Sequence, residues 1–199
     1  MLERFRELQA RVLVPVARAL LRAGLSPIQV TWFGTISVVA ASLICFPQGW
    51  LWQGAIITLL LSASDMIDGH MAREAGRVTR WGSFLDSSLD RVADAAIIGG
   101  LAWHLGLTGG PWWAAVAVLA LVAALLTSYL KARAEAVGAT ADSGIITRAD
   151  RVALALVGAL LAGLGVPYAL EAAMVVLALG GVWTVVQRFA EVHHQLSHG

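Results

Sequence analysis

The sequence contains little charge and almost no cysteine. Only 14% of its 199 residues are Asp, Glu, Lys or Arg, whereas 58% are hydrophobic and the mean hydropathy is +0.75. Soluble globular domains carry about 25% charged residues, so this composition excludes an ordinary soluble domain and indicates a chain that lies in a bilayer. Cys45 is the sole cysteine, which excludes an intrachain disulfide.

The sequence also lacks a long polar connection. The longest polar stretch between apolar segments is residues 135–146, which is too short for a second, soluble domain. We therefore expect a single membrane-embedded domain over residues 1–199. We also expect the N-terminus to be retained, because a signal peptide needs an apolar run that is interrupted here by charged residues. These residues are Glu3, Arg4, Arg6, Glu7 and Arg11.

What the sequence does contain is a series of apolar segments near the length of about 20 residues that a transmembrane helix needs. They are residues 27–46, 51–73, 83–105, 112–133, 148–166 and 168–190. Ahead of them, apolar residues recur at helical spacing from Leu2 to Leu20 with arginines between them, a pattern typical of a helix on an anionic membrane surface. The predicted fold class is all-α integral membrane, with six transmembrane helices preceded by an N-terminal amphipathic interfacial helix. The alternative for that first helix is ordinary packing on the domain.

Positive charge is missing from every second loop. All fourteen Lys and Arg residues lie in the N-terminal segment, around the second-to-third connection, in the fourth-to-fifth connection and its flanking helix ends, or near the end of the sixth helix. The positive-inside rule then predicts that both termini and the aspartates of residues 65–94 face the cytoplasm. The opposite loops carry the aromatic residues expected at a membrane interface, namely Trp50, Trp52, Trp112, Trp113 and Tyr168.

Carboxylates are concentrated in residues 65–94, which contain five aspartates. Asp65 and Asp68 are three residues apart and Asp86 and Asp90 are four apart, so each pair lies on one face of a helix. If the chain reverses between them, the four carboxylates meet, and they repel one another unless cations lie between them. Ligands that are all oxygen favour Mg²⁺ or Mn²⁺. Two such ions can hold the attacking and leaving oxygens of a phosphoryl transfer. The fifth, Asp94, could support Arg91 or the metal shell.

The same stretch resembles the signature of the CDP-alcohol phosphotransferase family. Eight residues match its order and spacing: Asp65, Asp68, Gly69, Ala72, Arg73, Gly82, Asp86 and Asp90. Within that family the chain is most similar to the actinobacterial phosphatidylinositol-phosphate synthases, in size, helix count and residues 128–136. The resemblance implies an enzyme that transfers the phosphatidyl group of CDP-diacylglycerol to inositol 1-phosphate (1D-myo-inositol 3-phosphate) and releases CMP. It also implies a homodimer in the bacterial cell membrane, with its active site on the cytoplasmic side. No nucleic-acid partner is expected.

The resemblance also implies roles for individual residues. Two divalent ions, Mg²⁺ with Mn²⁺ as the alternative, are held by Asp65, Asp68, Asp86 and Asp90, and Asp90 also takes the proton of the attacking hydroxyl. The residues implied in binding the CDP-lipid are Ile28, Gln29, Val30, Thr31, Gly69, Arg73 and Thr79. Gly69 lets a nucleotide approach the backbone, and the planar fork of Arg73 suits a diphosphate. Where many relatives have Asn, this chain has Ile28, so a contact through backbone N–H groups is expected there.

The acceptor alcohol implied by the resemblance carries a phosphate, so we expect cationic side chains near these aspartates to bind it. Residues 147–150, Thr-Arg-Ala-Asp, have the pattern of a capping box and predict the start of the fifth span. If this helix start converges with the ends of the fourth and sixth spans, a pocket for a phosphate monoester forms. By resemblance its ligands are Lys131, Arg148, Arg151 and Arg188. The alternative is that these residues only anchor the helices at the membrane surface.

Two other functions remain open at this point. Glycerol 3-phosphate carries a phosphate too, so a phosphatidylglycerophosphate synthase is the alternative within the family. An ion transporter with an acidic site is the alternative outside it. Transport requires polar groups through both halves of the membrane. The outer halves of the six predicted spans contain one charged residue, Glu171, which lies near a helix start where it complements the helix dipole.

Overall fold

The computed structural model describes residues 14–62, 64–74 and 79–198, and the side chains of residues 64–66, 68, 73 and 198 lie outside that description. The described part contains helices and no strand, which confirms the all-α class. The helices are α1 (14–22), α2 (Pro27–Cys45), α3 (Leu51–Ser62), α4 (Ser64–Glu74), α5 (Arg80–Thr108), α6 (Pro111–Ala136), α7 (Arg148–Gly163) and α8 (Ala169–His198).

Two predicted helix starts are confirmed by their capping geometry. Ser26 caps α2, because its Oγ accepts from the Gln29 N–H at 3.3 Å while its own N–H donates to Gln29 Oε1 at 2.9 Å. Thr147 and Asp150 form the same reciprocal pair at α7, with the Thr147 N–H donating to Asp150 Oδ2 at 2.9 Å. Each box satisfies backbone donors that have no partner inside the helix.

Within the described residues, three helices are long and apolar enough to cross a membrane: Pro27–Cys45, Pro111–Ala136 and Ala169–Ser197. The predicted second span corresponds to two helices, α3 and α4, with residue 63 outside the described part. The first half of α5 carries charged residues, and α7 has only 16 residues. Six spans therefore remain a prediction. So does the interfacial helix, because residues 1–13 lie outside the described part; of that segment α1 covers residues 14–22.

The bundle has two chemically different ends. Close contacts at glycines join neighbouring helices: Gly100 of α5 lies against Ser42 of α2, and Gly158 of α7 lies against Ala173 of α8. The short connections 109–110 and 164–168 make α5 antiparallel to α6 and α7 antiparallel to α8, and ion pairs join the first half of α5 to the start of α7. The starts of α5 and α7 therefore lie at the same end of the bundle as the last turns of α6 and α8. Large apolar side chains such as Phe33 are exposed along the bundle, as expected for a lipid-facing surface.

Gly100→Ala is expected to destabilise the protein, because the added Cβ would lie 2.6 Å from the Ser42 carbonyl oxygen and would push α2 away from α5. Overpacking of this kind costs about 1–3 kcal/mol. Gly99→Ala is the matched control, since a Cβ there meets nothing within 4 Å. Thermal unfolding in detergent should show a lower Tm for Gly100→Ala than for Gly99→Ala, and equal values would contradict the close packing.

Candidate active site

Two of the predicted metal-binding aspartates lie on α5. Asp86 is exposed and Asp90 is half-buried one helical turn later, and the intervening Leu89 faces the core. The other two, Asp65 and Asp68, belong to α4, and their side chains lie outside the described part. Both α4 and α5 pack against α2. The two helices that carry the aspartates are therefore held on a common support.

The donor chemistry of these helices suits a hard divalent cation. The predicted ligands are all carboxylates, and such oxygen donors favour Mg²⁺ or Mn²⁺ over softer metals. Among the residues whose side chains are described, no group of three or more His, Cys, Asp or Glu residues has the geometry of a metal site. The residues fit the expected ion in type and helical spacing. The meeting of all four aspartates stays a prediction.

Arg148 joins α7 to two successive turns of α5. Its Nη2 lies 2.8 Å from Asp90 Oδ1 and its Nε donates to Asp94 Oδ1 at 3.3 Å. On the other side of the carboxylate, Arg91 Nη2 lies 3.4 Å from Asp90 Oδ2. The aspartate that was predicted to be the base therefore has a cation on each of its two oxygens. The guanidinium can contact two carboxylates at once because it has several N–H donors in one fixed plane.

Arg151 and Arg188 converge on the end of α6. Arg151 Nη1 donates to Thr127 Oγ1 at 3.0 Å and Nη2 donates to Ser128 Oγ at 3.4 Å. Arg188 of α8 donates through Nη1 to the main-chain oxygen of Thr127 and through Nε to that of Ser143 at 3.0 Å. Three of the four predicted acceptor-binding cations, on α7 and α8, are thus brought to one end of the bundle.

Lys131 is the fourth predicted cation, and it has a partner that the sequence did not predict. Its Nζ lies 2.6 Å from Asp142 Oδ1 in the α6–α7 connection. The hydrogen bond from Lys131, together with its charge and more weakly that of Arg188, lowers the pKa of Asp142. Lys131 and Arg188 therefore act on the same carboxylate. A phosphate bound by Lys131 would have to compete with Asp142 for the ammonium group.

Five of the seven predicted CDP-lipid contacts lie at helix starts in the structure. Ile28, Gln29, Val30 and Thr31 form the first turn of α2, where Gln29 closes the capping box and Thr31 Oγ1 donates to the Pro27 oxygen at 3.0 Å. Thr79 caps α5 by accepting from the Gly82 N–H at 3.0 Å. Gly69 lies within α4, as does Arg73, whose side chain is outside the described part. Nucleotide contacts at these residues remain a prediction.

Sequence reasoning missed the polar groups that fix the cations. Thr127 and Ser128 precede Lys131 by about one helical turn, so spacing alone could have placed them beside it. Glu191 accepts from the Ser143 N–H at 3.0 Å, and Gln195 contacts Thr140. These tie the α6–α7 connection to α8. Their separation of about fifty residues leaves no local signal in the sequence.

A family model described as CDP-alcohol phosphatidyltransferase matches residues 24–186, which include both aspartate pairs and three of the predicted acceptor cations. The chain belongs to this CDP-alcohol family. The prediction from the aspartate signature is thereby confirmed.

The relatives of this chain include phosphatidylinositol phosphate synthases. The chain is 49% identical to the phosphatidylinositol phosphate synthase of Cutibacterium acnes, over 96% of this chain and 97% of that one. The crystal structure of the Mycobacterium tuberculosis phosphatidylinositol phosphate synthase with CDP-DAG bound has a TM-score of 0.89 and 40% identity, covering 92% of this chain and 94% of that one. The same synthase in complex with manganese and citrate has a TM-score of 0.86 and 40% identity, covering 91% and 88%. The family and the apolar helices together indicate that this chain is a membrane enzyme.

Proposed function

We propose that this chain transfers the phosphatidyl group of CDP-diacylglycerol to inositol 1-phosphate, giving phosphatidylinositol phosphate and CMP. The observation that carries the proposal is the position of Arg148, 2.8 Å from Asp90, with Arg151 and Arg188 at the same end of the bundle. A cationic pocket beside the proposed base suits an alcohol that already carries a phosphate. The names of the relatives favour inositol phosphate over glycerol 3-phosphate.

In the proposed reaction a hydroxyl oxygen of the acceptor attacks the phosphorus that bears the diacylglycerol group. A bond from that oxygen to phosphorus forms, the bond from phosphorus to the CMP oxygen breaks, and CMP leaves with the electron pair. Asp90 takes the hydroxyl proton on a carboxylate oxygen, which requires hydrogen-bond reach to the acceptor. Arg73 pairs with the diphosphate through its planar fork. Lys131, Arg148, Arg151 and Arg188 hold the acceptor phosphate.

Divalent ions are part of the proposal. Two Mg²⁺ ions, or Mn²⁺ as the alternative, held by Asp65, Asp68, Asp86 and Asp90, would neutralise charge on the diphosphate oxygens when bound. A solved relative in complex with manganese supports a divalent ion. The proposal also retains the predicted homodimer and the placement of both termini and the active site on the cytoplasmic side of a bacterial plasma membrane.

Asp65→Asn and Asp86→Asn are each expected to weaken Mn²⁺ binding by about tenfold or more, because a neutral amide is a poorer ligand for a hard cation than a carboxylate. Calorimetric titration of the purified protein with Mn²⁺ measures this directly. Asp142→Asn is the matched control, since it removes an exposed carboxylate that pairs with Lys131. Unchanged Mn²⁺ affinity in both site variants would contradict the four-carboxylate site.

An acceptor screen on purified protein with CDP-diacylglycerol and Mg²⁺ tests the proposed function. We expect CMP release with inositol 1-phosphate and little with free inositol, which has no phosphate for the cations. Product with glycerol 3-phosphate but none with inositol phosphate would replace the proposal by its alternative. Metal flux without CMP release would indicate the ion transporter instead.

A further inference from the structure

Asp94 is a charged residue outside the family signature, and it lies in the core of the bundle with 2% of its surface exposed. Its Oδ1 accepts from Arg148 Nε at 3.3 Å, and its Oδ2 lies 3.7 Å from Arg151 Nη2. The second distance is that of an ion pair and exceeds a hydrogen bond, so Oδ2 has no hydrogen-bond partner in the described part of the chain. A buried carboxylate is costly unless it is paired. These two arginines supply the pairing.

Arg148 is held by two aspartates at once. Its Nε is directed at Asp94 while its Nη2 lies 2.8 Å from Asp90. Because the guanidinium is planar, two contacts on different nitrogens fix the plane of the group as well as its position. The orientation of Arg148 beside the proposed base therefore depends on Asp94. About a third of the Arg148 side chain remains exposed.

Arg151 is held more completely. Thr127 and Ser128 accept from its two terminal nitrogens, Asp94 faces one of them, and only 6% of the residue is exposed. Arg151 therefore supplies a positive charge whose position is fixed by contacts from α5 and α6. Its Nε–H is a buried hydrogen-bond donor that has no partner in the described part.

We propose that Asp94 is a positioning residue for the acceptor: its buried carboxylate holds Arg148 and Arg151 in the arrangement that receives the acceptor phosphate. The inference rests on the proposed function and adds to it a residue that does not touch substrate. Electrostatics and positioning predict opposite changes in phosphate affinity when the charge of Asp94 is removed. Removing a negative charge beside the pocket would by electrostatics alone strengthen phosphate binding. If Asp94 positions the arginines, its removal weakens that binding instead.

Asp94→Asn keeps the shape of the side chain and removes its charge. We expect it to raise the KM for inositol 1-phosphate by about tenfold, equivalent to losing about 1.4 kcal/mol of binding, while the KM for CDP-diacylglycerol changes little. Direct titration with inositol 1-phosphate should show the same loss of affinity without turnover. Thr58→Val is the matched control, because it removes a buried hydroxyl that has no partner in the described part, and it should leave both KM values unchanged.

A double-mutant cycle shows whether Asp94 acts through Arg148. Arg148→Lys keeps the charge at a partly exposed position but lacks the planar fork, so it should raise the same KM even if Asp94→Asn does not fold. Where both variants fold, their combined effect should be smaller than the product of the single effects, because they remove one shared contact. Independent effects that multiply in full would overturn the coupling.

Other outcomes also decide the proposal. An unchanged or lower KM for inositol phosphate in folded Asp94→Asn would overturn it, as would an equal rise in both KM values. A lower Tm with normal KM values would assign Asp94 to stability alone. If the wild type uses glycerol 3-phosphate and not inositol phosphate, the proposed acceptor is wrong. The positioning role would still be supported if Asp94→Asn raised the KM for glycerol 3-phosphate and left the KM for CDP-diacylglycerol unchanged. A wild type that uses no phosphorylated acceptor would overturn both.

Discussion

Replacing Asp90 with asparagine is expected to lower turnover by about a thousandfold or more, because removal of a general base costs about 10²–10⁴ and this residue is also a proposed metal ligand. Asparagine has nearly the same shape, and in the structure the carboxylate is held between Arg91 and Arg148. The variant therefore keeps the size of the side chain and loses the proton acceptor, and its amide nitrogen cannot accept from one of the two arginines. CMP release from CDP-diacylglycerol, measured with saturating inositol phosphate, gives the turnover.

Binding of CDP-diacylglycerol by the Asp90→Asn variant should remain largely intact, which separates loss of chemistry from loss of the site. Glu74→Gln is the matched control. It also converts a carboxylate to an amide, but at an exposed ion pair with Arg18 at the end of α4. Its turnover should be close to that of the wild type. Turnover of Asp90→Asn within tenfold of the wild type would remove Asp90 from the role of base.

Arg188→Ala is expected to raise the KM for inositol phosphate by about one to two orders of magnitude, since one charge-assisted hydrogen bond to a phosphate contributes about 1.5–3 kcal/mol. Arg151→Ala should act in the same direction. The KM for CDP-diacylglycerol should change little, because Arg73 and the divalent ions are proposed to hold the diphosphate. Free inositol should be a poor substrate for the wild type, and these variants should lose less with it than with inositol phosphate.

The structure supplies a control that the sequence could not. Arg188 also holds the α6–α7 connection through the Ser143 oxygen, so its removal could act by loosening that connection. Glu191 holds the same connection by accepting from the N–H groups of Asp142 and Ser143, and it is an anion. Glu191→Ala should leave the KM for inositol phosphate near its wild-type value. An equal rise in KM for Glu191→Ala and Arg188→Ala would mean that the connection, and not the charge of Arg188, determines acceptor binding.

Local features of this protein could be predicted from the sequence because their physics is local. Ser26 and Thr147 cap helices through residues three positions away, and both starts were predicted correctly. The spacing of the aspartates indicated two helix faces. It also indicated the family, and the family was confirmed. The predicted second span was less accurate, since the structure divides that stretch between α3 and α4. Apolar composition alone does not show where one helix ends and the next begins.

Only the tertiary structure decided which charges meet. The sequence left Asp94 open between supporting Arg91 and the metal shell, and the structure places it against Arg148 and Arg151, which lie more than fifty residues away. It also pairs Lys131 with Asp142 and brings Arg188 to Thr127 across 61 positions. Helical periodicity determines the face on which a side chain lies. The partner of that face depends on how the helices pack, here on close contacts such as Gly100 against Ser42 and Gly158 against Ala173, which no local pattern encodes.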